Sequence, residues 1–247
     1  MIEVRQLHKS FSTNHVLRGV ELDVPAGTTT VILGRSGGGK SVLMKHLIGL
    51  MRPDRGTVRV DGKELSALGR KEQLELRTQF GLVFQMAALF DSMSVYENVA
   101  FPLFERRRGL SKKERDERVM KMLDLLGLTA AVNRLPAELS GGMRKRVGLA
   151  RALILEPKIV LYDEPTTGLD PITTASVDTM IKDAKRELGV TSVVISHDIA
   201  SAFEVADEVV FLHEGEIVAR GGPADFRAST HPAVQEFLGS WFEARPE

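Results

Sequence analysis

Short apolar runs rich in β-branched residues alternate with longer stretches of helical periodicity along most of this chain. The N-terminal part contains three runs that predict strands, at residues 2–4, 16–24 and 57–60. A fourth run, Thr29 to Leu33, passes directly into a glycine-rich loop, and Val42 to Leu50 behind the loop has the apolar spacing of a helix. The pattern therefore predicts a strand, a glycine loop and a helix in succession.

The periodicity changes to that of helices from about Met86 to Ile154 and returns to alternation beyond this stretch. Within it, Ser111 and Glu114 form a capping box that predicts the start of a helix. The last part of the chain contains predicted strands at 159–162 and 191–195, a helix at 171–188, and a hairpin of 209–212 with 216–219. Short apolar strands that alternate with helices predict an α/β fold with a mostly parallel sheet covered on both faces.

The composition excludes several kinds of function. The 247 residues contain no cysteine, which excludes disulfides, thiol catalysis and cysteine-bound zinc and suits a reducing compartment. Lys plus Arg number 33, as do Asp plus Glu, so there is no basic excess for nucleic-acid binding. No apolar run approaches the roughly 20 residues that cross a bilayer, so we expect a soluble chain that is free to dock onto a membrane protein.

The glycine loop matches the phosphate-loop pattern of Gly, four residues and Gly-Lys-Ser. Its residues are Gly34, Arg35, Ser36, Gly37, Gly38, Gly39, Lys40 and Ser41. In this pattern backbone N–H groups wrap the phosphates, Lys40 reaches the β and γ oxygens, and Ser41 ligates Mg²⁺. Because a strand precedes the loop and a helix follows it, the sequence predicts nucleotide binding and not an ordinary flexible turn.

Two carboxylates, Asp163 and Glu164, follow the strand-like run at 159–162. In an open α/β sheet, ligands bind at the carboxyl ends of the strands. Because adjacent residues on a strand point in different directions, we assign Asp163 to Mg²⁺, held through water, and Glu164 to the attacking water. For this pair taken alone, a solvated acidic turn before Pro165 is the alternative.

A second anion site is predicted at Leu139-Ser140-Gly141-Gly142-Met143, where a serine and two glycines precede a predicted helix. The phosphates of one nucleotide can occupy only one such cradle in a single chain. Either the protein binds two anions, or two chains share one nucleotide.

Together these residues resemble the nucleotide-binding domain of ABC transporters, and the resemblance covers nearly the whole chain. Gly34 to Ser41 correspond to Walker A, Asp163 and Glu164 close Walker B, and Leu139 to Gly142 correspond to the signature. The resemblance implies an ABC-type P-loop NTPase, with an N-terminal antiparallel β subdomain and an inserted α-helical subdomain beside the sheet. It also implies that two copies hold two ATP molecules with Mg²⁺, each between one copy's loop and the other's signature.

The resemblance assigns further residues to this site. Phe11 is the aromatic that stacks on adenine, Gln85 is the Q-loop, Thr167 to Asp170 form the D-loop, and His197 is the switch histidine. The implied catalytic residues are Lys40, Gln85, Glu164 and His197. The implied metal ligands are Ser41, Gln85 and Asp163. The implied nucleotide-binding residues are Phe11, Val16, Gly34 to Val42, Ser140, Gly141, Gly142, Met143 and Asp170.

Two features resemble one branch of the family, the ATPases of MCE phospholipid-transport systems of the Mla and Mkl group. Met143 stands where glutamine is usual and leads into the basic segment Arg144 to Arg146, and Phe84 to Leu103 looks like the same group. This implies a peripheral subunit at the cytoplasmic face of the inner (plasma) membrane. Its implied partners are a second copy, permease subunits docked near Met86 to Phe104, and an MCE-domain lipid-binding protein, with no nucleic acid.

The predicted organisation has three parts. Residues 1–85 and 155–222 form an ATP-binding RecA-like core with the β subdomain, 86–154 form the helical signature subdomain, and 223–247 form a C-terminal helical extension. Apolar side chains near the C-terminus can pack on their own domain or on the neighbouring ATPase: Phe237, Leu238, Trp241 and Phe242.

The apolar residues that follow the Q-loop have two possible roles. Leu89, Phe90 and Met93 either receive a helix of the membrane subunit or fill the core of the helical subdomain. The whole protein could instead serve an importer for another small substrate, or act as a soluble ABC ATPase on DNA, ribosomes or cluster assembly. A regulatory subunit that hardly hydrolyses ATP is disfavoured because Lys40, Glu164 and His197 are all in place.

Overall fold

Two β-sheets form the centre of the protein, and the smaller one is antiparallel. The structure is a computed structural model that describes residues 1–107 and 109–243, with side chains described to residue 241. The smaller sheet has the strand order β2-β1-β4-β5. Its strands are β1 (Ile2–Phe11), β2 (Asn14–Val24), β4 (Arg55–Val60) and β5 (Lys63–Glu64). Both β1 pairings, with β2 and with β4, are antiparallel.

The larger sheet has six strands in the order β10-β9-β3-β8-β7-β6. These strands are β3 (Thr29–Leu33), β6 (Phe80–Val83), β7 (Ile159–Asp163), β8 (Thr191–Ser196), β9 (Glu208–His213) and β10 (Glu216–Gly221). All neighbouring pairs are parallel except β10 with β9, which form the predicted closing hairpin. The predicted α/β class with a mostly parallel sheet is therefore confirmed.

The helices lie on the sheets and in one inserted segment. They are α1 (Lys40–Leu47), α2 (Arg70–Arg77), α3 (Val95–Arg106), α4 (Lys112–Leu125), α5 (Gly141–Leu153), α6 (Pro171–Leu188), α7 (Ile199–Val205), α8 (Pro223–Arg227) and α9 (Pro232–Glu243). Helices α3, α4 and α5 lie between β6 and β7 in the chain and share a core of their own, in which Val99, Leu123 and Val147 are buried. The assignment of residues 86–154 to a separate subdomain stays a prediction.

Strand β3 shows why the central strands have uninterrupted apolar runs. Ile32 belongs to the core shared with the antiparallel sheet and α1, whereas Val31 and Leu33 belong to the core on the opposite face, with α6 and α7. Because side chains alternate along a strand, a strand that is covered on both faces buries every side chain, which favours the apolar run from Val31 to Leu33 after the buried Thr29 and Thr30. The chain leaves β3 at its carboxyl end, where the glycine loop begins.

The predicted boundaries hold best where a cap defines them. Helix α6 begins after Asp170, whose carboxylate accepts hydrogen bonds from two backbone N–H groups, and ends before Gly189 with a φ of 64°. Helix α1 begins two residues earlier than predicted, at Lys40, and ends earlier, because Gly49 takes a φ of 65°. Strand β1 runs seven residues further than predicted, since its polar half pairs with β2 on a sheet face that water can reach.

The C-terminal helix α9 packs on the chain's own core. Val234, Phe237 and Leu238 are buried in the cluster that contains Phe211, and the Phe237 and Phe211 ring centroids lie 4.9 Å apart. Trp241 is partly buried against the same cluster. These side chains therefore pack in their own domain, whereas Phe242 lies outside the described side chains. Among the described helices, none combines the length and hydropathy that crossing a bilayer requires.

Replacing Phe237 with alanine tests this packing. We expect Phe237→Ala to lower the free energy of unfolding of the isolated chain by about 3 kcal/mol, because it leaves a cavity beside Phe211. Urea denaturation at low protein concentration measures the change, with Ile172→Ala as control, since Ile172 is 84% exposed. A loss that appears only at concentrations where the chain self-associates would show that the residue acts between copies.

Candidate functional site

The glycine loop folds tightly against strand β9 at the end of β3. A Cβ on Gly34 would lie 2.4 Å from the carbonyl oxygen of Leu212, so only glycine fits there. Gly39 has a φ of 99° and occupies the N-cap position of α1. Helix α1 therefore begins at Lys40 and Ser41, with its free N–H groups and the positive end of its dipole directed at the loop. This arrangement suits an anion.

Lys40 is only 7% exposed, and its ammonium is held inside the loop. It donates to the carbonyl oxygens of Gly34, at 2.7 Å, and Arg35, at 3.1 Å, and it lies 3.7 Å from Glu164 Oε1. Burial lowers the pKa of this ammonium, and the carboxylates of Glu164 and Asp163 oppose that shift. The cation is thus placed between the glycine loop and the acidic end of β7.

Glu164 connects the groups of this site. Its Oε2 lies 2.6 Å from Nδ1 of His197 and accepts a hydrogen bond from the Thr167 hydroxyl at 3.1 Å. Strand alternation, the basis of the sequence argument, is not what directs this side chain. Glu164 lies one residue beyond β7 with a φ of 50°, and its N–H is bonded to Ile195 O at 2.9 Å. The left-handed turn, fixed by β8, turns the carboxylate toward Lys40.

Asp163 is the last residue of β7. Burial raises the pKa of its carboxyl, Glu164 raises it further, and Lys40 and Lys45 oppose the shift. Together with the Ser41 hydroxyl and the Gln85 amide, Asp163 offers the oxygen donors that Mg²⁺ prefers. The described residues contain no cluster of three or more His, Cys, Asp or Glu that could hold a metal ion. A small, all-oxygen donor set of this kind fits a Mg²⁺ ion that also binds substrate phosphates.

These groups surround one cavity of about 640 Å³. Its lining residues are Phe11, Val16, Ser36, Gly37, Gly39, Lys40, Ser41, Val42, Gln85, Asp163, Glu164, Thr167 and His197. Phe11 lies at the end of β1 with 46% of its surface exposed, so a ring face is available to a ligand. Every lining residue belongs to the predicted site, although Thr167 does so only as the first residue of the D-loop. Thr167 received no role toward Glu164, because nothing in the sequence places its hydroxyl on that carboxylate.

Three predicted loop residues do not line the cavity. The Gly34 carbonyl faces Lys40, and the Gly38 N–H donates to Arg35 O at 3.1 Å, which closes the loop on itself. The Arg35 side chain points away and forms an ion pair with Glu236 of α9 at 2.6 Å. These residues shape the loop and present no side chain to the cavity.

The signature residues lie elsewhere in the chain. Ser140 Oγ accepts a hydrogen bond from the Met143 N–H at 3.3 Å and caps α5. Asp170 caps α6, and a Cβ on Gly142 would lie 3.1 Å from Thr173 Cγ2 at the start of that helix. Ser140, Gly141, Gly142, Met143 and Asp170 therefore form a second group of helix N-termini, and none of them lines the cavity.

Sequence reasoning also missed the contacts that hold the Q-loop. Lys145 of α5 donates to the carbonyl oxygen of Gln85, and Arg151 donates to those of Ala87 and Ala88, both at 2.8 Å. These pairs are about sixty residues apart, and a basic segment on a helix gives no signal that one of its side chains is buried.

Comparisons with known proteins agree with this geometry. The family described as ABC transporter matches residues 17–167. The probable ribonucleotide transport ATP-binding protein Mkl of Mycobacterium leprae is 45% identical over 96% of this chain and 68% of its own length. Protein TRIGALACTOSYLDIACYLGLYCEROL 3 of Arabidopsis thaliana is 42% identical over 96% of this chain and 73% of its own. The chain thus spans about two thirds to three quarters of these relatives.

Solved structures show the same likeness. The cbiO1 protein of Clostridium perfringens, part of an ABC transporter complex, has a TM-score of 0.86 at 31% identity and covers 99% of this chain and 94% of its own. A dimeric post-hydrolysis state of the ATP-binding cassette MJ0796, bound to ADP and Pi, has a TM-score of 0.81 at 32% identity and covers 90% of this chain and 99% of its own. The glycine loop, the strand-end acids and these matches show that the chain belongs to the ABC transporter family, as one of its ATP-binding subunits.

Proposed function

We propose that two copies of this chain hydrolyse two ATP molecules held between them and thereby drive a membrane transporter. The observation that carries the proposal is the placement of Glu164, which contacts His197 at 2.6 Å and Lys40 at 3.7 Å at the edge of a cavity. A carboxylate that is fixed beside a cation and an imidazole suits the activation of water next to a phosphate.

Binding starts from the loop and from α1. Backbone N–H groups of the loop and of the start of α1 surround the phosphates, and a phosphate oxygen takes the place of a loop carbonyl as acceptor for Lys40. Phe11 stacks on the base, and Val16 and Val42 line the same cavity with apolar surface. The substrate class is therefore a nucleoside triphosphate.

Hydrolysis then uses the strand-end groups. Glu164 accepts a hydrogen bond from the attacking water and polarises it, while Thr167 and His197 fix the orientation of the carboxylate. His197 lies beside the γ-phosphate, and Lys40 stabilises the charge that develops there. Ser41, Asp163 and Gln85 would hold Mg²⁺, which would neutralise phosphate charge when bound.

The second half of each site comes from the other copy. Ser140, Gly141, Gly142, Met143 and Asp170 lie at helix N-termini outside the cavity, so in one chain they have no nucleotide to bind. Placed over the cavity of a partner, the N–H groups of α5 would face the γ-phosphate. The dimeric ATP-binding cassettes that match this chain support such an assembly.

Permease subunits dock on the surface near Met86 to Phe104. Met86 is 83% exposed, Phe90 and Phe104 are exposed apolar side chains of the same stretch, and the exposed Phe84 lies just before it. Leu89, in contrast, packs partly into the core of the helical segment, so it contributes less to docking than its place in the sequence suggests. Docking on permease subunits would put this subunit peripherally at the cytoplasmic face of the inner membrane, which is the location that we propose.

The cargo that we propose is phospholipid, moved between bacterial membranes with an MCE-domain protein in the assembly. Support comes from Met143 and the basic residues Arg144 to Arg146 that follow it. Further support comes from the 42% identical Arabidopsis thaliana relative, whose name contains that of a galactolipid. The other names differ, since Mkl is named for ribonucleotide transport. A methionine import protein of Acinetobacter baylyi is 38% identical over 96% of this chain, which favours amino-acid import as the second candidate.

Glu164→Gln separates binding from hydrolysis. We expect kcat to fall about a hundredfold or more, because the amide cannot accept a proton from water, while ATP binding is kept. Steady-state phosphate release and equilibrium binding measure the two effects, with Glu117→Gln as control for the same change at an exposed site of α4. Undiminished hydrolysis by Glu164→Gln would remove this residue from the mechanism.

The same variant tests the shared site. With ATP, Glu164→Gln is expected to form a dimer of twice the 27.2 kDa chain mass, because the sandwich cannot reopen through hydrolysis. The double variant Glu164→Gln with Ser140→Arg should bind ATP through its own loop and stay monomeric, since a bulky cation replaces the cap of α5. Light scattering distinguishes the two masses. Dimers of the double variant at equal stability would disprove the composite site.

Purification from native membranes tests the partners and the cargo. The tagged chain is expected to bring with it a permease, an MCE-domain protein and bound phospholipid, all identified by mass spectrometry. Recovery with a soluble amino-acid-binding protein instead would favour the import function. Recovery with soluble proteins alone would contradict the transport function as a whole.

A further inference from the structure

Lys145 of helix α5 is buried, although its neighbours in the sequence, Arg144 and Arg146, are also basic. Its side chain is 8% exposed, and its ammonium donates to the carbonyl oxygen of Gln85. The residue lies two positions beyond Met143, within the first two turns of α5.

None of the ion pairs found within residues 1–107 and 109–241 includes Lys145, and burial is the only cause that lowers the pKa of its side chain. A buried cation with a single neutral acceptor costs free energy that an apolar residue would avoid. Packing alone therefore does not account for a lysine at this position.

Lys145 binds the backbone of Gln85, a residue of the candidate site. Gln85 follows β6, and its side chain lines the cavity while its carbonyl is bound from behind by α5. A hydrogen bond on the carbonyl restricts rotation of the peptide unit and so limits where the amide can reach. Lys145 consequently acts on the cavity without touching it.

Other residues of α5 hold the two residues Ala87 and Ala88, which follow Gln85 closely in the chain. Ala87 and Ala88 take φ values of 57° and 48°, which are strained for residues other than glycine, and Arg151 donates to both of their carbonyl oxygens. Gly148 allows the close approach, because a Cβ there would lie 3.1 Å from Ala87 Cβ. The Q-loop segment is thus fixed to α5 at three carbonyls, and Lys145 holds the one nearest the cavity.

We propose that Lys145 is a positioning residue that makes the placement of Gln85 in one ATP site depend on the position of α5, whose N-terminus completes the other site. The inference rests on the proposed function. When α5 is drawn toward the nucleotide of the partner copy, Lys145 moves with it and carries the Gln85 carbonyl. Each chain then transmits occupancy of the shared site at its signature to its own cavity.

Lys145→Met tests this coupling, because methionine fills the space but cannot donate. We expect kcat for ATP hydrolysis to fall about tenfold, KM for ATP to stay within twofold, and the Hill coefficient for ATP to drop toward 1. ATP binding in the Glu164→Gln background should be unchanged. Lys145→Arg keeps a cationic donor and should recover at least half of kcat, and Lys113→Met gives the same change at an exposed residue of the helical segment.

Failure of this inference can be distinguished from failure of the proposed function. A folded Lys145→Met variant with the kcat and Hill coefficient of the wild type would overturn the inference, and so would a loss that appears equally in KM and in binding affinity. If Lys145→Met fails to fold, Lys145→Leu, which is also apolar and cannot donate a hydrogen bond, must show the same loss of kcat. Failure of the proposed function would look different, since the wild type and Lys113→Met would then not hydrolyse ATP.

Discussion

The candidate site depends on one constraint, the adjacency of β3, β8 and β7 in a parallel sheet. Parallel strands end at the same edge, so the loop after β3, His197 after β8 and Glu164 after β7 meet there although they lie far apart in sequence. The hydrogen bond from the Glu164 N–H to Ile195 O fixes the turn that follows β7. A change of strand order would separate Lys40 from Glu164, whatever the local sequences.

At this edge of the sheet, burial and neighbouring charges have opposing effects on the pKa of Lys40. Burial favours the neutral forms of both Lys40 and Asp163, since it lowers the pKa of the ammonium and raises that of the carboxyl. Glu164 favours the charged ammonium but disfavours a second negative charge on Asp163. A ligand that brings positive charge to Asp163 and negative charge to Lys40 therefore offsets both effects of burial. A nucleoside triphosphate with its divalent cation supplies both at once.

The sequence predicted the parts of the site that depend on local geometry. The glycine loop, strand β3 and helix α6 were placed correctly because fixed spacing, a continuous apolar run and strong caps define them. The direction of the Glu164 side chain was explained wrongly, since a left-handed turn bonded to β8 cannot be read from strand alternation. The hydrogen bonds of Thr167 and Lys145 were missed because they depend on tertiary packing. Lys145 and its acceptor Gln85 are sixty residues apart in the chain.

The caps of α5 and α6 bear on the proposed sharing of each ATP site between two copies. Ser140 Oγ and the Asp170 carboxylate already satisfy N–H groups of their own helices. What these helix starts still offer is the remaining N–H groups and the dipole, which act only over a short distance and must face the phosphate directly. None of these residues lines the cavity of its own chain, and for this reason we propose that the phosphate comes from a second copy. In the proposed dimer, the two caps prepare a binding surface for the nucleotide that the other copy holds.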